Sequence, residues 1–585
     1  MGLFEPKLVC EQKLEEKTLY QELKEVYAEM TGPESLFGVS KIDVRGQSLN
    51  SFTLAPGSLR DVWAMTAGYA DRDYLVYEGE IWTYAQAHKE VASVANWMLE
   101  NGVQPGDRVA IAMRNYPEWI LTYWALVSIG VAVVGINAWW VADELDFGLT
   151  DSAPKAIICD QERLNNFMSI RENHKDMTVI GVRLKEAVEG VVDYADIKSH
   201  GGDMPDVAVD PDSDACIFYT SGTTGRPKGA QLTQRGCVLN IMNVAFMNLA
   251  VTKALARRDG TEDQLPEPGQ GPVTVTLVTT PLFHVTANNC VVQPATLTGG
   301  KIIHMYKWDA GDALKLIEQH KITGISGVPV MSREIISHPD FEKYDTSSLT
   351  VLGGGGSQLQ PDLVGKIDSS LKNGRAATGY GMTEVCGIIS AISNEYFADR
   401  PDSAGPFVPT LEYKTIDSEG NTLPDGALGE LCVKGANVIK GYLNRPEATA
   451  ETIKDGWLST GDIARIDEEG FVYIVDRAKD MVLRGGENVY CAEVEVAIFK
   501  HSAVSECTVF GVLDDRLGEE VGVAIFFKPG EEVSAEEIRE HCSTLIAKFK
   551  VPRYIWILDE PLPRNASGKF VKRELRDTLD TADAV

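Results

Sequence analysis

Short apolar runs alternate with amphipathic stretches through most of the chain. The runs at 109–115 and 131–137 are typical of buried strands. The stretches at 117–130 and 142–152 have helical spacing. Strands that alternate with helices of this length indicate parallel sheets with crossover helices, and therefore an α/β fold. Further strands are predicted at 155–160, 215–220, 275–281, 299–305 and 349–356.

The pattern changes in the last third of the chain. After about residue 405 it shows hairpin signals, which predict a β-rich subdomain over 405–475. The block 480–585 has an α+β pattern of its own, in which 504–512 and 521–529 are predicted strands and 534–549 a Ser-capped helix. We therefore predict a large N-terminal domain over 1–475 with parallel sheets flanked by helices, and a small C-terminal domain over 480–585.

Two segments are predicted to lie outside this regular pattern. Residues 1–50 are acidic, and we predict a lead-in that is helical and irregular. The polar stretch 251–272 contains several Pro and Gly residues and is predicted to be a surface excursion.

Composition and charge narrow the class of protein. The 585 residues exceed the length at which one core usually stops growing, so two or more domains are expected. The net charge of -30 argues against a nucleic-acid or anionic-membrane surface. Ten scattered cysteines, no secretory signal and no predicted membrane span favour a reduced, cytoplasmic protein.

The stretch YTSGTTGRPKGA at 219–230 follows a predicted strand directly. Its Gly, Ser and Thr residues can surround a polyanion with backbone N–H groups and hydroxyls, and Lys228 adds a positive charge. The P-loop pattern is not satisfied, because Gly229 follows Lys228. The stretch therefore predicts a phosphate-binding loop of another kind.

This loop resembles the phosphate-binding signature of the adenylate-forming (ANL) superfamily, which includes the acyl-CoA synthetases. TGYGMTE at 378–384 and STGD at 459–462 are similar to further elements of that family. So are 476–495 and RNASGKFVKREL at 564–575, and the resemblance spans roughly 50–580 in the expected order. It implies an ATP-dependent acid–thiol ligase. A carboxylate attacks the α-phosphate of ATP and expels pyrophosphate, and a thiol then takes the acyl group and releases AMP.

The resemblance assigns roles residue by residue. Lys569 would stabilise the charge of the first transition state, and Glu384 with Thr224 would carry Mg²⁺. Asp462 would accept the ribose hydroxyls with Arg477 beside it, and Tyr380 would stack on adenine. The complete implied ATP site comprises Thr220, Ser221, Gly222, Thr223, Thr224, Gly225, Lys228, Gly356, Ser357, Gln358, Tyr380, Gly381, Thr383, Asp462, Arg477 and Lys569.

The family register also implies an acyl pocket that carries no Lys or Arg. A second carboxylate on the substrate would remain unpaired there, so a monocarboxylic acid with a hydrocarbon tail is expected. The motifs NAWW at 137–140 and KWDA at 307–310 resemble the fatty-acid branch of the family, which favours a medium- or long-chain acid. The implied pocket residues are His284, Val285, Asn288, Gly327, Gly381 and Met382.

The second half-reaction would need the C-terminal domain to move. The resemblance implies a hinge at 476–479 that contains Lys479, and rotation about it would bring Gly485, Gly486 and Glu487 up to bind coenzyme A. No carrier module follows the adenylating unit, which favours coenzyme A as acceptor. A homodimer and weak peripheral contact with a membrane stay open.

Three alternatives remain at this point. The acid could be an aryl or phenylpropenoid acid, and the enzyme could load a separate carrier protein. A non-catalytic nucleotide-binding or acyl-sensing module is the third, and the presence of both Lys569 and Glu384 argues against it. His284 could cap the acyl pocket or serve as a structural residue.

Overall fold

The computed structural model describes residues 19–220, 226–267, 270–356, 359–485, 487–531, 533–565 and 568–585. The chain begins with helix α1 (Leu19–Met30) and a hairpin of strands β1 (Val39–Val44) and β2 (Gln47–Phe52). The lead-in was predicted to be helical and irregular, and the hairpin is a correction. Its two-residue turn has positive φ at both Arg45 (54°) and Gly46 (77°). Such turns usually carry Asn or Asp before Gly, so Arg45 weakened the signal.

The first sheet of the large N-terminal unit has the order β11-β10-β6-β5-β7-β8-β9 and is parallel except for β11. Helix α4 lies in the core beside it and is buried along its whole length. Elements from here to the end of the long helix are α2 (Leu59–Met65), β3 (Asp73–Tyr77), β4 (Glu80–Thr83), α3 (Tyr84–Glu100), β5 (Arg108–Ala112), α4 (Pro117–Ser128), β6 (Ala132–Gly135), α5 (Ala142–Ser152), β7 (Ala156–Asp160), α6 (Gln161–Ser169), β8 (Thr178–Val182), β9 (Val192–Asp193), α7 (Tyr194–Lys198), β10 (Asp214–Thr220), β11 (Lys228–Thr233) and α8 (Gln234–Arg258).

The second sheet has the order β17-β16-β15-β14-β12-β13-β3-β4 and is parallel between β16 and β3. In β15, a Cβ at Gly354 would lie 1.9 Å from the carbonyl oxygen of Gly327 on β14, so only glycine fits there. Its elements are β12 (Val275–Val278), α9 (Val285–Ala287), α10 (Gln293–Leu297), β13 (Lys301–His304), α11 (Ala310–His320), β14 (Gly324–Gly327), α12 (Pro329–Ile336), β15 (Val351–Gly355), α13 (Pro361–Ser370), β16 (Arg375–Met382), β17 (Gly387–Ser393) and α14 (Asn394–Asp399).

The third sheet is antiparallel, with the order β18-β23-β22-β20-β19, and β21 pairs with β22. It spans Gly405 to Arg477, the region where hairpins were predicted. The sequence-based domain bounds themselves stay predictions. The elements are β18 (Gly405–Pro406), β19 (Glu412–Ile416), β20 (Gly429–Lys434), α15 (Pro446–Thr452), β21 (Ile453–Lys454), β22 (Trp457–Ile466) and β23 (Phe471–Arg477).

The fourth sheet begins at Val482 and has the order β25-β24-β27-β26, with β28 parallel to β27. Helix α17 starts after Ser534, whose hydroxyl accepts a hydrogen bond from the Glu537 amide. The helix was predicted to reach residue 549 but ends at Ser543. The elements are β24 (Val482–Arg484), β25 (Glu487–Val489), α16 (Cys491–Phe499), β26 (Val504–Asp514), β27 (Gly518–Phe527), α17 (Ala535–Ser543), β28 (Tyr554–Leu558) and α18 (Lys572–Thr578).

The end of α17 has a local cause. The hydroxyls of Ser543 and Thr544 donate to the carbonyls of Glu540 and His541, so side chains occupy acceptors of the last turn. Hydroxyl side chains that compete for backbone acceptors in this way disfavour continuation of a helix.

Helix α8 extends into a segment that was predicted to be a surface excursion. It continues to Arg258, so the first residues of the predicted surface excursion at 251–272 are helical, which corrects that prediction. By length and composition α8 could also cross a membrane, but 61% of its most apolar window is buried within the protein. Core helices of this kind pass the same test. In this fold α8 packs against β17, α1 and α2.

Candidate active site

A cavity of about 630 Å³ lies where the sheets of the N-terminal unit meet the C-terminal block. Its wall combines β10, β11, α8, β16 and β17 with the loop around Lys569 and the segment after β23. This volume is within the usual range for small-molecule sites. The cavity therefore joins regions that the sequence motifs had placed far apart in the chain.

Two residues flank the predicted phosphate loop. Thr220 ends β10 and Lys228 begins β11, and the antiparallel register places them opposite each other. Both line the cavity. The ammonium of Lys228 lies 4.9 Å from the ring centroid of Tyr442, a cation–π distance. The predicted loop residues Ser221, Gly222, Thr223, Thr224 and Gly225 lie outside the described residues.

Glu384 lies in the short turn after β16 and is 7% exposed. The hydroxyl of Tyr442 donates to Oε1 of Glu384 at 2.7 Å, and burial with the negative charge of Glu384 raises the pKa of Tyr442. Tyr442 therefore stays a donor. Thr383 is buried next to Glu384, and both line the cavity.

The residues at this point fit a Mg²⁺ ion that is shared with substrate phosphates. In the described part of the chain, no group of three or more His, Cys, Asp or Glu side chains is arranged so that it could hold a metal ion by itself. Mg²⁺ in nucleotide enzymes is usually held by one or two carboxylates together with phosphate oxygens and water, so the single buried carboxylate of Glu384 suits it. The other predicted ligand, Thr224, lies outside the described residues.

Both carboxylate oxygens of Asp462 have a partner. Its partner in the register of β22 and β23 is Arg477, whose Nε lies 3.0 Å from Oδ1. The hydroxyl of Tyr380 donates to Oδ2 at 2.6 Å. Arg477 lines the cavity, but Asp462 and Tyr380 are not among the described lining residues. Gly356 lines the cavity, whereas the predicted Ser357 and Gln358 lie outside the described residues.

Lys569 reaches the cavity from a tight turn of the C-terminal block. The amides of Gly568 and Lys569 donate to the backbone and side-chain oxygens of Asn565, which fixes the turn. A Cβ at Gly356 would lie 3.4 Å from Cε of Lys569, so the lysine passes directly beside that glycine.

The electrostatics of Lys569 follow from this position. Burial and the positive charge of Arg477 lower the pKa of Lys569 to about 8, against the opposing effect of Asp462 and Glu384. Burial, with the charge of Lys569, also lowers the pKa of His284 to about 4. At neutral pH the cavity therefore holds a charged lysine beside a neutral imidazole.

The predicted acyl residues divide into two groups. His284, Val285, Gly381 and Met382 line the cavity. Gly327 and Asn288 are not among the described lining residues, and the amide of Asn288, which is fully buried, donates to Asn289 Oδ1 at 3.0 Å. Gly381 has a steric reason to be glycine, since a Cβ there would lie 1.9 Å from the carbonyl oxygen of Gly387.

The predicted coenzyme A residues lie away from the cavity in this arrangement. The amide of Gly485 donates to the carbonyl of Leu517 at 2.8 Å, and Glu487 is exposed. Neither lines the cavity, whereas Lys479, the predicted hinge residue, does. Gly486 lies outside the described residues. The structure therefore combines Lys569 in the cavity with Gly485 and Glu487 outside it.

Several lining residues were not predicted from the sequence. Tyr442 and Glu430 are two of them, and no motif used in the sequence analysis marked either. One face of α8 is another omission, with Val244, Met247, Asn248 and Val251 at i, i+3, i+4 and i+7. That spacing was visible in the sequence, but it is equally typical of a helix that packs only against a core.

Comparison with known proteins gives matches over most of the chain. Residues 62–443 match the family model for the AMP-binding enzyme, and 493–569 match that for the AMP-binding enzyme C-terminal domain. A feruloyl-CoA synthase from Amycolatopsis sp is 35% identical over 501 residues, which cover 85% of this chain and 94% of the relative.

A second relative and a solved structure also match most of the chain. A long-chain-fatty-acid–CoA ligase from Escherichia coli O6:H1 is 32% identical over 555 residues, covering 89% of this chain and 94% of the relative. The o-succinylbenzoate CoA synthetase from Bacillus subtilis, solved with its acyl-adenylate intermediate, superimposes with a TM-score of 0.72 at 28% identity. That match covers 88% of this chain and 98% of the other.

Proposed function

The chain belongs to the AMP-binding enzyme family as an ATP-dependent acyl-CoA ligase of the adenylate-forming superfamily, and we propose that its acid substrate is a medium- or long-chain fatty acid. The named relatives act on acids of different kinds, so the choice rests on the cavity. Its lining includes both charged side chains and an uncharged, mostly apolar group of residues.

The observation that carries the proposal is the uncharged wall formed by α8 and β17. Among the described lining residues of these two elements there is no charged side chain. Most are aliphatic, and Cys290 and Met382 extend the apolar surface beside them. The residues of this wall are Val244, Met247, Asn248, Val251, Gly387, Ile388, Ala391, Ile392 and Ser393.

Such a wall favours a hydrocarbon tail over a second acidic group. Burial of each methylene is worth about 0.8 kcal/mol, so a tail of several carbons would contribute strongly to binding. An unpaired carboxylate in the same place would cost several kcal/mol or become protonated. The single carboxylate of the substrate would then lie at the other end, next to Lys569 and His284.

The residues near Lys569 suit the first half-reaction. A carboxylate oxygen of the acid forms a bond to the α-phosphorus as the bond to the bridging oxygen breaks, and pyrophosphate leaves with that electron pair. Both reactants are anionic, so a positive charge placed between them lowers the barrier. Lys569 can supply that charge, and Lys228 can neutralise the outer phosphates.

The remaining groups position the nucleotide. A bound Mg²⁺ would supply charge neutralisation at the phosphates, with Glu384 to hold it and Tyr442 to orient Glu384. Arg477 can contact the nucleotide from the cavity side of Asp462. In the second half-reaction the thiol sulfur of coenzyme A bonds to the acyl carbon as the bond between that carbon and the phosphate oxygen of AMP breaks. AMP leaves with that electron pair, and the thiol proton passes to solvent.

An aryl or phenylpropenoid acid is the second candidate, and two observations favour it. The feruloyl-CoA synthase relative is 35% identical over most of the chain. The uncharged wall also includes Asn248 and Ser393, neutral polar side chains that could bind a ring hydroxyl. These groups are few compared with the aliphatic residues around them.

The decisive experiment is AMP release from ATP with and without coenzyme A. The acids would run from acetate to palmitate, with benzoate, cinnamate and ferulate alongside. We expect coenzyme A-dependent AMP formation that peaks on an aliphatic chain. A peak on the aromatic acids would overturn the fatty-acid proposal, and pyrophosphate exchange without coenzyme A-dependent turnover would indicate a carrier protein as acceptor.

A further inference from the structure

The N-terminal helix contacts the apolar end of the cavity from behind. The hydroxyl of Tyr27 on α1 donates to Sδ of Met247 on α8 at 2.9 Å. The ring of Tyr27 packs edge-on against Phe246 at a centroid distance of 4.8 Å. Met247 itself lines the cavity together with Val244 and Val251. One side of Met247 therefore borders the cavity, and its sulfur meets Tyr27.

A second hollow lies on the far side of Tyr27. Its volume is about 260 Å³, and its wall comes from α1, the segment 406–413 and the residues 469–471. Most of the wall is apolar, with Leu23, Val408 and Leu411 beside Tyr27, while Lys24 and Glu469 also border it. Tyr27 thus lines the hollow and contacts a residue that lines the cavity.

We propose that Tyr27 and Met247 form the end wall of the acyl cavity and set the longest acyl chain that the enzyme accepts. The inference rests on the proposed function, since it assigns the cavity beside Met247 to the acyl tail. A tail that reaches Met247 would have to displace two packed side chains to go further. Removal of the Met247 side chain would lengthen the cavity as far as Tyr27, and removal of the Tyr27 side chain would leave Met247 free to move toward the second hollow. Either change would give longer tails more apolar space.

The wall is held in place by contacts on both sides of Tyr27. Toward the C-terminal end of α1, Glu29 pairs with Arg257 at 2.7 Å and with Lys253, both on α8. Toward the other end, the guanidinium of Arg400 stacks on the ring of Tyr20 at 4.0 Å.

The burial of α1 also helps to hold Tyr27 in place. Tyr20, Leu23, Val26 and Met30 form one buried face of the helix. Helix α1 is therefore anchored to α8 and, through the contact of Tyr20 with Phe471, to the β-rich region, and Tyr27 lies between these anchors. Burial raises the pKa of Tyr27, so its hydroxyl remains a donor to Met247.

The test compares chain-length profiles of variants. Coenzyme A-dependent AMP formation would be measured as kcat/KM for straight-chain acids from C4 to C20, in wild type, Tyr27→Ala, Met247→Ala and Met247→Phe. We expect the two alanine variants to accept acids at least two carbons longer than wild type. The gain for such acids should be about 10-fold or more, since each buried methylene is worth about fourfold in affinity. Met247→Phe should shorten the limit.

Two matched variants distinguish a specific role of Tyr27 in limiting chain length from a general effect of lost packing. Tyr27→Phe keeps the ring and should keep the wild-type length limit. Tyr413→Ala removes an aromatic ring that lines the second hollow, where it stacks on Phe407 at 3.8 Å, and it should also keep that limit. Normal turnover of short acids shows that a variant is folded, and if Tyr27→Ala fails this check, the opposite shifts of the two Met247 variants still decide the question.

The outcomes distinguish this inference from the proposed function. An unchanged length limit in Tyr27→Ala and Met247→Ala, with normal turnover of short acids, would overturn the end wall. An equal shift of the length limit in Tyr413→Ala would also overturn the end wall. If wild type forms no AMP with any aliphatic acid, the fatty-acid proposal fails. The same variants are then compared on ω-phenylalkanoic acids of increasing length, and a longer limit in both alanine variants is still the expected result.

Discussion

The hydroxyl of Tyr442 lies 2.7 Å from Oε1 of Glu384, and the ammonium of Lys228 lies 4.9 Å from the centroid of the same tyrosine ring. One side chain thus contacts both the carboxylate and the cation that we assign to the proposed phosphate end. Tyr442 leads into α15 in the β-rich region, Glu384 lies between β16 and β17 of the second sheet, and Lys228 belongs to the first.

We expect Tyr442→Phe to weaken the use of Mg²⁺-ATP while it keeps the ring beneath Lys228. Loss of a hydrogen bond to a charged group typically costs about 1.5–3 kcal/mol, so kcat/KM for ATP should fall by about 10-fold or more. Pyrophosphate exchange across a range of Mg²⁺ concentrations would measure this fall in kcat/KM. Tyr442→Leu, which also removes the ring, should be worse, and equal activity of Tyr442→Phe and wild type would contradict this role for the hydroxyl.

The rate of adenylation should fall at alkaline pH as Lys569 loses its proton. Its pKa is lowered to about 8 by burial and by Arg477, so the lysine is mostly charged at pH 7 and loses its charge as the pH rises through 8. An exposed lysine would stay charged to about pH 10. If the charge of Lys569 stabilises the transition state as proposed, kcat/KM for pyrophosphate exchange should fall above about pH 8.

Two substitutions check this assignment. Lys569→Ala should lower the exchange rate by about 10²–10³ and should lack the alkaline limb. Lys569→Arg stays charged throughout and should move the limb to higher pH. The same limb in Lys569→Ala would mean that another group titrates.

Asp462→Asn should act on nucleotide binding more than on chemistry. The substitution removes the negative charge that holds Arg477 at 3.0 Å, and it weakens the acceptor for Tyr380. We expect KM for ATP to rise by about 10-fold with kcat nearly unchanged, the pattern of a lost uniform binding contact. Asp467→Asn is a matched control, because Asp467 pairs with Arg400 and is not among the described lining residues of the cavity.

Lys479→Pro should separate the two half-reactions. In this structure Lys569 and Lys479 both line the cavity, while Gly485 and Glu487 do not. If the second half-reaction needs the backbone at Lys479 to rotate, a proline that fixes φ should spare pyrophosphate exchange and block thioester formation. The measurement is exchange and acyl-CoA formation on the same preparation, and an equal loss of both would count against the hinge.

The strands of the large unit were predictable because their side chains are buried on both faces. The runs that contain β5, β6 and β7 are almost continuously apolar, which is what a parallel sheet covered by helices requires. The hairpin of β1 and β2 escaped the same reasoning. Its strands are only partly buried, and its turn carries Arg45 in place of the usual Asn or Asp.

The candidate site shows a similar division. Residues in short motifs, such as Lys228, Glu384 and Lys569, could be assigned to a predicted nucleotide site because each motif has its own chemistry, and all three line the cavity. The lining residues Met247 and Ile392 carry no such signal, since an apolar residue of a pocket and one of a core have the same pattern. Asn288 belongs to a segment whose neighbouring residues line the cavity, but its side chain donates a hydrogen bond to Asn289 inside the core. Only the three-dimensional packing distinguishes these cases.

The cations that face the cavity also affect how fast the enzyme captures its substrates. Lys228, Arg477 and Lys569 lie in a protein whose net charge is -30, so a polyanion far from the surface experiences repulsion before it meets their attraction. The Debye length is about 30 Å at 0.01 M salt and about 10 Å at 0.1 M. Moderate salt therefore screens the distant repulsion more than the contacts inside the cavity. The association rate of ATP should rise with ionic strength over this range, opposite to the behaviour of enzymes that attract their substrates from a distance.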